Sequence, residues 1–287
     1  MEKRVVTPGS KTAPDTVPIL MYHAVTPTPS PPVRALSVSP EAFAGQMRLL
    51  AERGFTPLTT ARLASAWRGG PRLPRRPVLI TFDDGYRGVS DHALPVLRDL
   101  GFPATIFVTT GWLPGCHEIG GAALDTMLDW EAVRELAGQG MEIGGHSHSH
   151  PQLDQLPDGE LRFEVERCRE IIAEQLGRPP VSFAYPYGYS DRRVRKLVRA
   201  AGFTQSVAVG NGLASPEQGP FALRRLTVRR GTGPEDFGRL VDGKAVGRLF
   251  AVDRALTKGY ALVRGSRRLV RRAAGAASTQ TSAEGTV

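Results

Sequence analysis

Cysteine is scarce. The 287-residue chain has two, Cys116 and Cys168, with no Cys-x-x-Cys spacing. A disulfide-stapled scaffold is thereby excluded, and both thiols are expected to be free rather than in a zinc site or a pair, with a single pair left open. No run of about eighteen apolar residues occurs, so no membrane-spanning helix is expected. The stretch before Pro18 lacks the apolar core of about seven residues that marks a secretory signal, which favours a cytoplasmic or inner-membrane-face location. Internal repeats and the G-x-G-x-x-G loop of dinucleotide folds are also missing. With 41% hydrophobic and 23% charged residues, the chain is apolar enough for a real core and is neither disordered nor a coiled coil.

Negative charge is short in one place only. The formal net charge is +9, and nine Lys/Arg against Asp253 and Glu284 from Lys244 onward carry most of it. The rest of the chain is close to neutral, so the high isoelectric point says little about the main domain and gives no nucleic-acid partner. The reading is a disordered lead over 1–16, a main domain over 17–243, a basic amphipathic helical tail over 244–274 and a disordered end over 275–287. In the tail, Leu249, Val252, Leu256, Tyr260 and Val263 recur at three- and four-residue steps between basic residues. Such a helix either packs on the domain or rests on an anionic membrane face.

Within 17–243 apolar strands alternate with helices. Pro18–His23 reads as a buried strand. Ser39 as cap, Pro40 at the first helical position and Gly54 as stop bound a helix, and a second covers 60–67. Strands follow at Val78–Phe82, Ala104–Val108, Met141–Ile143, Val181–Tyr185, 204–209 and 223–228. Between them helices run over Ala93–Leu100, Asp129–Ala137, Pro157–Leu176 and 191–201. This alternation predicts a parallel α/β sheet closed toward a barrel, with chemistry at the strands' C-terminal ends.

Three polar clusters fall at such ends. The first is Thr81-Phe82-Asp83-Asp84-Gly85: adjacent carboxylates that repel unless one ligates a cation and the other holds or takes a proton. A plain Asp-Gly turn stays open as the alternative. The second is His146-Ser147-His148-Ser149-His150. One helical turn would set His146 and His150 on one side as a metal pair, with His148 pointing elsewhere. Two imidazoles and one carboxylate leave water positions open, as hydrolytic metals require. The third is Phe183–Gly188, where Tyr185 and Tyr187 are candidates to line a sugar site and offer a backbone N–H to an oxyanion.

In this order the clusters resemble the polysaccharide deacetylases of carbohydrate esterase family 4, over about residues 17–240. Thr81–Gly85 matches that family's first motif and His146-Ser147-x-x-His150 its second. The opening Pro18–His23 and the Phe183–Gly188 stretch look like the branch acting on poly-N-acetylglucosamine. The resemblance implies a distorted (β/α) barrel of about seven strands and metal-dependent hydrolysis of N-acetyl groups from N-acetylhexosamine units of a glycan. It implies Asp84, His146 and His150 as ligands of a divalent metal (Zn2+, with Co2+ or Ni2+ as alternatives), Asp83 as general base and the Tyr187 N–H at the oxyanion. The usual arginine of the third motif is replaced by Ala184, and the usual late histidine is absent from Leu226–Arg229. By the resemblance His23 takes the acid's role, a core histidine being the alternative, and Arg225 is the candidate to orient Asp83. An O-acetyl esterase at the same site and a carbohydrate-binding pseudoenzyme are the competing readings.

Overall fold

The computed structural model describes residues 16–115, 122–253 and 255. The expected lead, the tail beyond its first residues, Leu256, Tyr260, Val263 and Cys116 lie outside them. Eight strands form one sheet: β1 (Ile19–Tyr22), β2 (Thr56–Leu58), β3 (Pro77–Phe82), β4 (Thr105–Val108), β5 (Glu142–Gly145), β6 (Ser182–Ala184), β7 (Gln205–Val207) and β8 (Leu226–Thr227). Their order is β7-β6-β5-β4-β3-β1-β8, every pairing is parallel, and β2 pairs with the first half of β3. Closure is incomplete. β7 meets the chain just before β8 through the Val207–Leu223 bridge, where the Ala208 N–H donates to the Leu223 carbonyl at 2.8 Å. The result is the distorted (β/α) barrel expected, with seven strands on the main path.

The helices are α1 (Pro40–Glu52), α2 (Thr60–Trp67), α3 (Leu94–Asp99), α4 (Trp130–Gly138), α5 (Asp158–Leu176), α6 (Arg192–Ala200), α7 (Pro234–Val241) and α8 (Val246–Leu249). Four of them start at side chains that satisfy backbone N–H groups: Ser39 accepts from Ala42, Thr59 from Arg62, Asp129 from Ala132 and Asp191 from Val194. A single π-helical turn, Val89–Ala93, precedes α3.

Strand alternation separates two cores. Leu20, Tyr22, Val78, Ile80, Phe82, Ile106 and Val108 face outward and pack beneath the helices. Ile19, Leu79, Phe107, Ala184, Val207 and Leu223 fill the barrel interior. Gly144 has to be small, because a Cβ there would lie 2.5 Å from the Phe107 ring. The same inward register continues upward to Met21, Thr81 and then to His23, Asp83 and His146 at the rim. Backbone bonds past the strand ends hold that register: Asp83 N–H to the Tyr22 carbonyl (2.9 Å) and His146 N–H to the Val108 carbonyl (3.0 Å).

In the start of the tail, Phe250 is buried and Leu249 packs on the outer core, while Val252 is 72% exposed. Of the stripe's two described positions, Leu249 packs inward and Val252 does not. Among the described residues no helix is long and apolar enough to cross a membrane.

Candidate active site

The rim residues open into a cleft of about 480 Å³ lined by His23, Asp83, Asp84, His146, His150 and Tyr187, among others. Asp83 and Asp84 diverge just past the end of β3. The Asp83 N–H still bonds to the Tyr22 carbonyl, whereas Asp84 has φ 73° and Gly85 φ 93°, which turns the second carboxylate sideways into the cleft. Ser147 (φ 66°), His150 (φ 63°) and Tyr187 (φ 58°) also hold left-handed backbone. Such conformations are costly for residues other than glycine and gather at sites where geometry matters more than local ease.

Asp84, His146 and His150 converge. Each imidazole Nε2 stands 3.3 Å from Asp84 Oδ1, and one ligand atom from each residue lies within 4.8 Å of the others. Oδ1 is buried without an aligned hydrogen-bond donor. His146 Nδ1–H donates to the Ala184 carbonyl at 2.8 Å, which leaves the Nε2 lone pair for a cation. An orphaned carboxylate oxygen beside two imidazoles is the donor set a divalent metal fits. Burial alone would push Asp84 up, yet the two imidazoles and the charge of His23 hold it well below the usual carboxylate range. For His146 burial works against protonation, but Asp83 and Asp84 raise it above the ordinary histidine value.

The histidine pair is not on a helical turn, as the four-residue spacing suggested. It sits on a loop folded by its own side chains and by α5. Ser147 Oγ accepts the His150 N–H at 3.0 Å. Glu164 accepts the N–H groups of His148 (2.9 Å) and Ser149 (2.8 Å), and the Ser149 hydroxyl donates to its other oxygen. His148 points away from the cleft, with Nδ1 3.0 Å from the Thr110 hydroxyl. The His150 ring packs between Trp112 (centroids 4.9 Å) and Tyr187 (4.7 Å).

Arg225 is fully buried, and its guanidinium forks onto Asp83 with bonds of 2.6 and 2.7 Å. It also donates to the Thr81 hydroxyl (3.2 Å) and the Ala208 carbonyl (3.3 Å) and lies over the Phe107 ring. Burial would raise Asp83, and the charges of Arg225 and His146 with the Arg225 bonds keep it below its ordinary value. His23 lines the cleft with its Nδ1 buried and unpartnered. Its own burial lowers its pKa, with Asp84 and Asp83 opposing.

Tyr185 departs from expectation. It is fully buried against Phe183, its hydroxyl donates to the Phe221 carbonyl (3.1 Å), and it faces the apolar layer beneath α5 and α6 rather than a sugar. The reason is alternation: β6 places Ala184 inward, so Tyr185 is outward, and only the turn at Pro186–Gly188 returns Tyr187 to the cleft. The Tyr187 ring is 52% exposed. The bonds closing that turn, Gly188 N–H to Tyr185 and Tyr189 N–H to Pro186, do not engage the Tyr187 N–H. Glu164 and Trp112 were not singled out in the sequence. For Glu164 a signal exists: it interrupts the buried stripe Leu161, Val165, Cys168, Ile172 of α5 with a charge. Cys168 is a free, buried thiol with its pKa pushed up to about 12 by burial.

Carboxylates and imidazoles gathered at the C-terminal rim of a parallel barrel are a donor set suited to metal-assisted hydrolysis. The family model for polysaccharide deacetylase matches residues 70–206, a little under half of the chain, and the chain is similar to that family there. It is 28% identical over 229 residues to the Bacillus subtilis (strain 168) protein YxkH, covering 80% of this chain and 77% of that one. It is 26% identical over 219 residues to the poly-β-1,6-N-acetyl-D-glucosamine N-deacetylase of Escherichia coli (strain K12), covering 64% of this chain. That match spans only 33% of the E. coli protein's length. In fold it is similar to the Streptococcus pyogenes deacetylase PplD solved with acetate, with a TM-score of 0.71 at 24% identity over 80% of this chain and 99% of that chain.

Proposed function

We propose that this polysaccharide deacetylase removes N-acetyl groups from N-acetylhexosamine units of a glycan, using a zinc-class divalent metal held by Asp84, His146 and His150. The observation that carries the proposal is the convergence of those three ligand atoms beside a carboxylate, Asp83, that Arg225 holds ionised. A cation bound there supplies a water of lowered pKa and a Lewis acid for the acetamide oxygen.

The chain's own groups handle the protons. Asp83 accepts the proton of the attacking water, and its fork to Arg225 fixes which face of the carboxylate remains available. The tetrahedral oxyanion is met by the Tyr187 N–H, which the bonds closing its turn leave unused. His23 donates a proton to the departing nitrogen, since an amide anion is too basic to leave. Water and acetamide are thereby converted to acetate and free amine. The rings of Trp112 and Tyr187 fix His150 and give the cleft an apolar wall for a sugar face.

The test is acetate release from N-acetylglucosamine oligomers. Activity is expected in the metal-loaded protein, lost on chelation and restored by zinc. Release that is unchanged in thorough chelation contradicts the proposal, as does a preference for O-acetylated over N-acetylated oligomers.

A further inference from the structure

Beyond the cleft, the C-terminal end of β8 leads into a second cavity of about 400 Å³. It shares Thr227, Arg229 and Asp253 with the cleft, so the two are compartments of one groove. Its walls carry Arg34, from the loop after β1, and Arg229 and Arg230, from the chain directly after β8, with Asp236 and Asp253 as the acids. Both acids have cationic partners. Asp253 takes the Arg229 fork at 3.2 and 2.8 Å, and Asp236 pairs with Arg239 at 3.4 Å. Arg230 donates to the Ser37 hydroxyl (3.1 Å) and the Pro27 carbonyl (3.4 Å), neither of them charged. Arg34 is exposed. Among the described residues, neither Arg34 nor Arg230 has a carboxylate partner within ion-pair distance.

Two guanidiniums from distant parts of the chain therefore line one concavity that adjoins the cleft. A guanidinium fork is matched to phosphate or carboxylate oxygens, and a neutral sugar leaves that match unused. We propose that this compartment binds an anionic group, a phosphoryl ester or a uronate carboxylate, on the glycan next to the N-acetylhexosamine in the cleft. The substrate is then an anionic N-acetylated glycan rather than a neutral polymer. The inference rests on the deacetylase reading of the cleft.

The full chain, metal-loaded, is compared on a neutral N-acetylglucosamine oligomer, on the same oligomer bearing a phosphoryl ester and on one alternating with glucuronate. At least one charged oligomer is expected to show kcat/KM about tenfold higher or more, the size of one charge-assisted hydrogen bond. Which one responds names the anion. The preference should shrink as salt rises and disappear in Arg34→Ala/Arg230→Ala, with the rate on the neutral oligomer unchanged. Arg34→Glu, a change at one exposed side chain, should remove it without touching the loop bonds of Arg230. Equal kcat/KM for charged and neutral oligomers, or a preference that survives Arg34→Glu, overturns the proposal. Should no oligomer be hydrolysed, the deacetylase reading fails separately. The compartment is then read by calorimetric titration of metal-free protein with N-acetylglucosamine 1-phosphate and with glucuronic acid, against N-acetylglucosamine. Tighter binding of a charged probe that Arg34→Glu abolishes supports the compartment, and equal binding overturns it.

Discussion

Replacing Arg225 by methionine keeps most of the side-chain volume but strips Asp83 of both its short bonds, 2.6 and 2.7 Å, in a place where that carboxylate is 2% exposed. Removing one partner of a buried ion pair costs about 3–5 kcal/mol, because the other charge is left unpaired. For a domain of this size that corresponds to a fall in melting temperature on the order of 10 °C. The pH dependence gives a sharper signature than the size. In the native protein the Asp83 pKa is depressed, so its stabilisation is present above the unfolded carboxylate pKa and is lost as pH falls through the folded value. In Arg225→Met burial is opposed mainly by His146 and His23, and the carboxyl rises. The gap in stability between the two proteins should therefore be small in acid and widen toward neutrality. Thermal or urea unfolding of the metal-free proteins across that range measures it. The acid-side limb of kcat/KM should move upward as well, by at least about one pH unit, which corresponds to about 1.4 kcal/mol. Equal unfolding midpoints at neutral pH, or a gap that is the same at every pH, would refute the argument that Arg225 keeps Asp83 charged.

Other consequences are as direct. His23→Ala should retain bound metal while turnover falls by roughly 10²–10⁴-fold, as for loss of a general acid; rates equal to the parent would make His23 a lining residue only. Because the His23 pKa is lowered, catalysis through its protonated form declines as pH rises through that lowered value, and the alkaline limb should vanish in the variant. Glu164→Gln disturbs the bonds that hold the histidine loop, and zinc affinity should drop about 10–100-fold with the fold intact by circular dichroism; unchanged affinity would leave Glu164 a packing residue. Zinc must displace a proton from His146, whose pKa is raised, so affinity should weaken as pH falls through that raised value, beginning above the ordinary histidine range. A zinc titration that is flat between about pH 8 and 5.5 would contradict that.

What was legible beforehand follows from locality. Asp83-Asp84-Gly85 and His146-Ser147-x-x-His150 are contiguous, and each follows an apolar strand whose alternation aims its last inward residue at the rim. Arg225 was reachable only through the resemblance, as a substitute for the arginine missing at Ala184, and its fork onto Asp83 joins residues distant in the chain. Backbone conformation was not legible: nothing in Ser147 or His150 announces left-handed φ, so a loop was read as a helical turn. Tyr185 faces away from the expected sugar site because strand parity, not aromatic character, decides which side it faces. β2 leaves no signal in the sequence because three residues, one a proline, carry no period, and β3 supplies its pairing. In the tail, Phe250 rather than Val252 is buried, because helix phase there is set by packing on α7 and the outer core. Glu164 acts from α5, 15 residues after Ser149 and outside the loop's own motif, a relation that the folded structure displays.

The central claim is that two imidazoles and one carboxylate, brought together from the ends of β3 and β5, grip a single divalent ion. Elemental analysis after equilibration with zinc tests it most directly. The parent should hold one equivalent per chain and the His146→Ala/His150→Ala variant essentially none, with both folded. One equivalent retained by the double variant would contradict the account.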